Sequence, residues 1–195
     1  MKLLHDKVKA TSSKAHKALD SNSLMKKIMS PTVNISDYHF FLEAFFPIYN
    51  TLESDIYQLG NQIIPNIINN QRLHELKNDL NQFNSKVNNC TLSEAITYDK
   101  DNILGAIYVF EGSRHGAYHI AKHLKNKLNL EDNKLQFLLH SPTVKWNEII
   151  NTLNNVKESN HNAIIEGVNT TFNLFLNHFN CFEEKLIKYE GYRIQ

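Results

Sequence analysis

Three small groups of residues in this 195-residue chain have the types and spacing to do chemistry. His16 and Asp20 are four apart, so a helix would set them side by side. A carboxylate there can accept from one imidazole nitrogen and leave the other free as a more basic, oriented metal ligand. The same spacing also suits an exposed polar pair at a helix end. Glu111, His115, His119 and His123 repeat every four residues, a row that could hold zinc or a di-iron pair if other helices added carboxylates such as Glu43, Glu53 or Glu166. That row would extend over about 18 Å, too far for one metal site, so a solvated polar stripe is the simpler reading. Gly112 and Gly116 are also four apart, and glycine inside a helix costs roughly 0.5–1 kcal/mol against alanine. A face without side chains admits either a neighbouring backbone or a flat ligand.

The elements that must position these groups are helices. Six Gly and four Pro are few for 195 residues, and 42% hydrophobic content is enough for a core. Residues 2 to about 20 carry an apolar stripe of Leu4, Val8, Ala15 and Leu19, with Lys9, Ser12 or Ser13, His16 and Asp20 beside it. Ser30-Pro31 breaks the chain, and Ser36 or Asp37 can cap a core helix over Tyr38–Leu59 that contains Pro47. Residues 71–87 form a weaker amphipathic pattern, and Thr91 with Glu94 resembles a capping box. The glycine-bearing helix should run to about Leu128, followed by a loop at 130–133 and a short apolar segment at 135–139. Helices then follow from about Thr143 and over roughly Asn160–Tyr189. No repeat or composition break divides the chain, so one all-α domain over residues 1–195 is expected.

Several function classes fall away. The 21 basic and 20 acidic residues nearly cancel, leaving no global field to recruit nucleic acid or an anionic membrane. No run of 18 apolar residues exists, and the opening MKLLHDKVKA lacks the apolar core of a signal peptide, so a cytoplasmic location is expected. Cys90 and Cys181 form no CxxC pair, and there is no GxSxG or phosphate-binding glycine loop.

A haem is a flat plate that needs an iron ligand on one face and room on the other. A neutral imidazole at His16 can supply the ligand, and a helix with Gly112 and Gly116 can lie close to the ring. With these residues in view, the sequence resembles the haem oxygenase family, particularly its short bacterial members. KATSSKAHKALD is similar to the segment whose histidine is the proximal haem ligand, here His16. YHFFLEAFFPIYNTLESDI matches at Tyr38, Ile48-Tyr49 and Leu52-Glu53. YVFEGSRHGAYHI resembles the bacterial pattern of tyrosine, two residues, Glu-Gly-Ser, any residue, Leu-Gly-Gly. IEGVNTTFNLFLNHFNCFEEKL resembles the last core helix, including Phe172, Phe179 and Glu183-Glu184.

The resemblance implies a haem-oxygenase-like multi-helix bundle in which haem is both prosthetic group and substrate. Oxygen and electrons from a ferredoxin or flavodoxin system would open the ring to biliverdin, carbon monoxide and ferrous iron. It places iron on His16 and a catalytic distal wall at Gly112, Ser113 and Gly116. Spacing makes Asp20 the orienting carboxylate, and charge and position on the first helix make Lys9 and Lys14 candidate propionate partners. Two residues depart from the pattern: His115 replaces a leucine, and Ala117 replaces the third glycine, a methyl that is tolerable if it faces away from haem. Ser113 stands where many animal members carry an acidic residue, as it does in the bacterial pattern. Two other readings share these residues. One is a haem-oxygenase-like di-iron oxidase using Glu111, His115 and Glu166, and the other is a haem-binding regulator without turnover.

Overall fold

A computed structural model describes residues 3–67, 71–83, 92 and 96–193. Among these residues the chain forms eight α-helices and no strand. α1 (Leu4–Asp20) and the short α2 (Ser23–Ile28) lead into the 26-residue α3 (Ile35–Gly60). α4 (Gln71–Gln82), the equally long α5 (Ile103–Leu128) and α6 (Gln136–Leu139) follow, then α7 (Trp146–Asn154) and α8 (His161–Arg193).

The helix starts and stops follow from local chemistry. The cap of α3 is Asn34, not Ser36 or Asp37: Asn34 accepts from the Asp37 amide at 3.1 Å, and Asp37 accepts from the Asn34 amide at 2.9 Å. Asp37 is thus the reciprocal partner of a capping box. Helix α3 continues past Pro47, which is buried in its interior. Asn22 caps α2 through the Leu24 amide, and six residues are too few for periodicity to announce that helix. Asn129, at φ 53°, ends α5 in the left-handed conformation that asparagine tolerates. The expected loop at 130–133 is partly a 3₁₀ turn, Asp132–Lys134. The continuation of α4 to residue 87 and the capping box at Thr91 and Glu94 lie outside the described residues.

One hydrophobic core draws on all of these helices. α8 packs along α5 and α1, α3 packs on α5, and α4 and α6 pair beside them. Glycine sets the spacing of the α5–α8 pair. A Cβ on Gly105 would lie 2.6 Å from the Val168 nitrogen, and one on Gly167 would overlap the Asn102 carbonyl oxygen. Close backbone packing is therefore the job of Gly105 and Gly167. No described helix is long and apolar enough to cross a membrane.

Candidate functional site

A cavity of about 240 Å³ opens between α1, α3, α5 and α8, and α6 and Trp146 of α7 complete its wall. His16 and Asp20 border it from α1, and Gly112, Ser113, His115, Gly116 and Ala117 from α5. Its depth is aromatic: Phe41, Phe45, Phe137, Phe175 and Phe179 are all buried. Four lining residues are solvent-exposed, namely His16, Asp20, His115 and Gly116, and they mark the mouth.

His16 Nδ1 lies 2.9 Å from Asp20 Oδ2, and its ring meets Phe172 edge-on at 5.7 Å. The pair fixes one nitrogen and leaves Nε2 available as a ligand. The two glycines behave differently. A Cβ on Gly116 would meet nothing within 4 Å, whereas one on Gly112 would stand 3.3 Å from the Trp146 ring. Gly116 therefore keeps the cavity itself open, and Gly112 lets the indole lie against α5. Ala117 is 5% exposed and borders the cavity, so its methyl is part of the wall instead of facing away.

Behind Ser113 lies a polar cluster. The Ser113 hydroxyl donates to the Phe110 carbonyl at 2.7 Å, and Arg72 Nη1 donates to Ser113 Oγ at 3.1 Å. Arg72 is 2% exposed, and its guanidinium lies over the rings of Tyr49, at 5.0 Å, and Phe137, at 4.7 Å, which themselves meet edge-on. Such stacking holds a desolvated cation with little freedom. Glu53 accepts from the Leu73 amide at 3.0 Å, anchoring the start of α4 next to Arg72. Burial pushes Glu53 up to about 7, against the opposing pull of the Leu73 amide and Arg72. Burial also raises the Tyr49 phenol, which therefore stays protonated. Among the described residues, Glu53 Oε1 and Arg72 Nε have no hydrogen-bond partner.

The structure places the other expected residues as follows. Lys9 and Lys14 are exposed and do not border the cavity. Lys9 is seven residues from His16 and so on its side of α1, whereas Lys14, two residues away, projects about 200° around the helix. The Glu111 row is broken by geometry, because a four-residue step advances about 40° per repeat around a helix of 3.6 residues per turn. Glu111 is buried, paired with Arg114 at 2.6 Å and accepting from Tyr57, while His115, His119 and Glu166 are exposed. His123 Nε2 lies 3.0 Å from the Ser30 carbonyl. Glu111 was thus not part of a solvated stripe. Among the described residues no group of three or more His, Cys, Asp or Glu could hold a metal, and the di-iron ligand set does not assemble.

Residues 2–181 match the family model described as Heme oxygenase. The chain belongs to the haem oxygenase family. Three solved haem oxygenases share its fold. The enzyme from Leptospira interrogans is 20% identical, with a TM-score of 0.71 over 91% of this chain and 98% of that one. Heme oxygenase-1 from the cyanobacterium Synechocystis, solved in complex with heme, is 17% identical, with a TM-score of 0.75 over 99% and 98%. The NO- and CO-bound haem oxygenase from Neisseria meningitidis is 20% identical, also at 0.75, over 93% and 92%. No curated protein matches the chain.

The residues present fit the haem oxygenase ligand. A flat apolar plate with one iron and two carboxylates needs an imidazole, an aromatic interior and an uncovered stretch of helix. His16, the phenylalanine-lined depth and Gly116 supply these on one cavity. Sequence reasoning identified His16 and the glycines but missed Arg72 and Trp146. Trp146 carried a signal as the sole tryptophan, whereas nothing in the segment around Arg72 marked it.

Proposed function

We propose that this haem oxygenase holds haem on His16 and degrades it to biliverdin, carbon monoxide and ferrous iron. Oxygen and electrons from an external donor such as ferredoxin or flavodoxin, with its reductase, would drive the reaction. The observation that carries the reading is the shared cavity: a histidine with one nitrogen oriented by Asp20 borders the same space as a helical glycine whose Cβ direction is empty. When bound, haem supplies the redox chemistry and the carbon to be oxidised, and the protein supplies ligation, orientation and proton control.

Each residue has a physical task. His16 Nε2 would hold the iron, and Asp20 would accept from Nδ1 and keep the ring aimed. The bare backbone at Gly116 leaves room beside the distal helix for a small gas molecule. The phenylalanines exclude bulk water from the interior, which strengthens the polar contacts that remain. Ser113 Oγ accepts a hydrogen bond from Arg72 Nη1 and donates one to the Phe110 carbonyl, which fixes the hydroxyl at the cavity wall where an ordered water can meet it. Arg72 carries a fixed positive charge beside that wall, suited to stabilising negative charge as it develops on oxygen. Glu53, poised near neutrality, can hold or release a proton at Oε1 within the same cluster. A haem-binding protein without turnover would not need this buried polar machinery.

The reading is tested by loading the protein with haemin and supplying a reductant and oxygen. The expected result is loss of the haem absorbance with growth of a bilin spectrum and release of carbon monoxide. Stable haem that is never converted under these conditions would overturn it.

A further inference from the structure

The mouth of the cavity is electrostatically one-sided. Of its four exposed lining residues, His16 is assigned to iron, Gly116 has no side chain, and Asp20 is acidic. His115 is the one that remains able to donate to an anion. Deeper in the wall, Arg72 is 2% exposed, away from the solvent edge, and its Nη1 donates to Ser113 and the Phe110 carbonyl. The two haem carboxylates must stay at the solvent edge, because burying an unpaired carboxylate is costly. There, Asp20 repels them on the α1 side and His115 offers an N–H in either tautomer on the α5 side. The His115 ring is not loose. It meets the Trp146 ring at 5.3 Å and 79°, and Trp146 is held in turn against Tyr108, at 5.2 Å, and against Gly112. That stack holds the imidazole at the rim, and neither ring nitrogen makes a hydrogen bond among the described residues.

We propose that His115 is a specificity-determining residue that hydrogen-bonds one haem propionate at the cavity mouth. Resting on the proposed function, this contact fixes the rotation of the ring about the His16 axis. It thereby selects the ring edge that faces the Ser113–Arg72 wall and the bilin isomer released. His115 stands where the bacterial pattern has leucine, so the contact belongs to this chain's own sequence.

The test uses the apoprotein, titrated with haemin and with haemin dimethyl ester, whose carboxylates are capped. Binding is read from the Soret band and from quenching of Trp146, the only tryptophan. Wild type should prefer haemin by about tenfold or more, the size of a charge-assisted hydrogen bond. His115→Leu should shrink that preference to about threefold or less, and His115→Gln, which keeps an N–H, should restore most of it. In turnover, wild type should give one predominant bilin isomer and His115→Leu a mixture. An undiminished preference for haemin in His115→Leu would overturn the proposal, as would an unchanged isomer pattern. So would Lys9→Ala abolishing the preference while His115→Leu leaves it intact. Those results leave haem binding itself standing, whereas wild type that bound neither compound would overturn both this contact and the function it rests on.

Discussion

Three alanine substitutions on one helix should give three different outcomes, because the space beyond each glycine differs. At Gly105 the added methyl would lie 2.6 Å from the Val168 nitrogen and 2.9 Å from the Gly167 carbonyl carbon, both backbone atoms of α8. Backbone cannot rotate aside, so α5 and α8 must separate and Gly105→Ala should destabilise by roughly 1–3 kcal/mol or more. At Gly112 the nearest atom is Cη2 of the half-buried Trp146 at 3.3 Å, which can yield by a few tenths of an ångström. There the helix-propensity gain and the packing cost should nearly cancel. At Gly116 nothing lies within 4 Å, so Gly116→Ala should stabilise the apoprotein by about 0.5–1 kcal/mol. For a chain of this size that gain is a rise of roughly 1–4 °C in Tm. The same variant should bind haemin more weakly, and Gly116→Leu more weakly still, because the side chain enters space the ligand needs. Circular dichroism melts of the apoproteins and haemin titrations read the two effects separately. A stabilised Gly116→Leu that binds haemin as wild type does would refute the assignment of Gly116 to the distal wall.

Other residues of the site make further predictions. Because burial raises Glu53 from 4.5 to about 7, the folded state holds that proton more tightly than the unfolded chain. Its contribution is fully present below about pH 4.5 and falls by roughly 3 kcal/mol as pH rises through 7, so Glu53→Gln should flatten the stability profile over that window in urea melts. Arg72→Met should slow bilin formation by about 10- to 100-fold while changing haemin affinity much less. It should also push Glu53 further up, because Arg72 pulls its carboxyl down, and destabilise the fold by removing the cation packed on Tyr49 and Phe137. The exposed His16–Asp20 pair predicts a milder effect, with Asp20→Asn weakening haemin binding by about tenfold or less and leaving the apoprotein melt unchanged.

How much of this was legible in the sequence depends on how local each cause is. The long helices announce themselves because their apolar faces repeat at helical spacing, and His16 with Asp20 needs only one helix to form. Helix α2 has six residues, less than two turns, and leaves no periodic trace. The α3 cap was misplaced because Asn34 with Asp37 does the work usually written as Ser or Thr with Glu or Gln. Glu111 shows the limit of counting by fours, since the helical drift carries it into the core while His115 stays at the surface. Arg72 could not be read at all from its own segment. Its role exists only because α4 lands beside Ser113, 41 residues later in the chain.

The most direct test of the central assignment is the ferric spectrum of the haemin complex in wild type and His16→Ala. Wild type should bind one haemin with a sharp Soret band and the signature of a histidine ligand. His16→Ala should lose that signature, and added imidazole should restore it by filling the space the side chain left. A His16→Ala complex with the affinity and spectrum of wild type would contradict the account and place the iron on another residue.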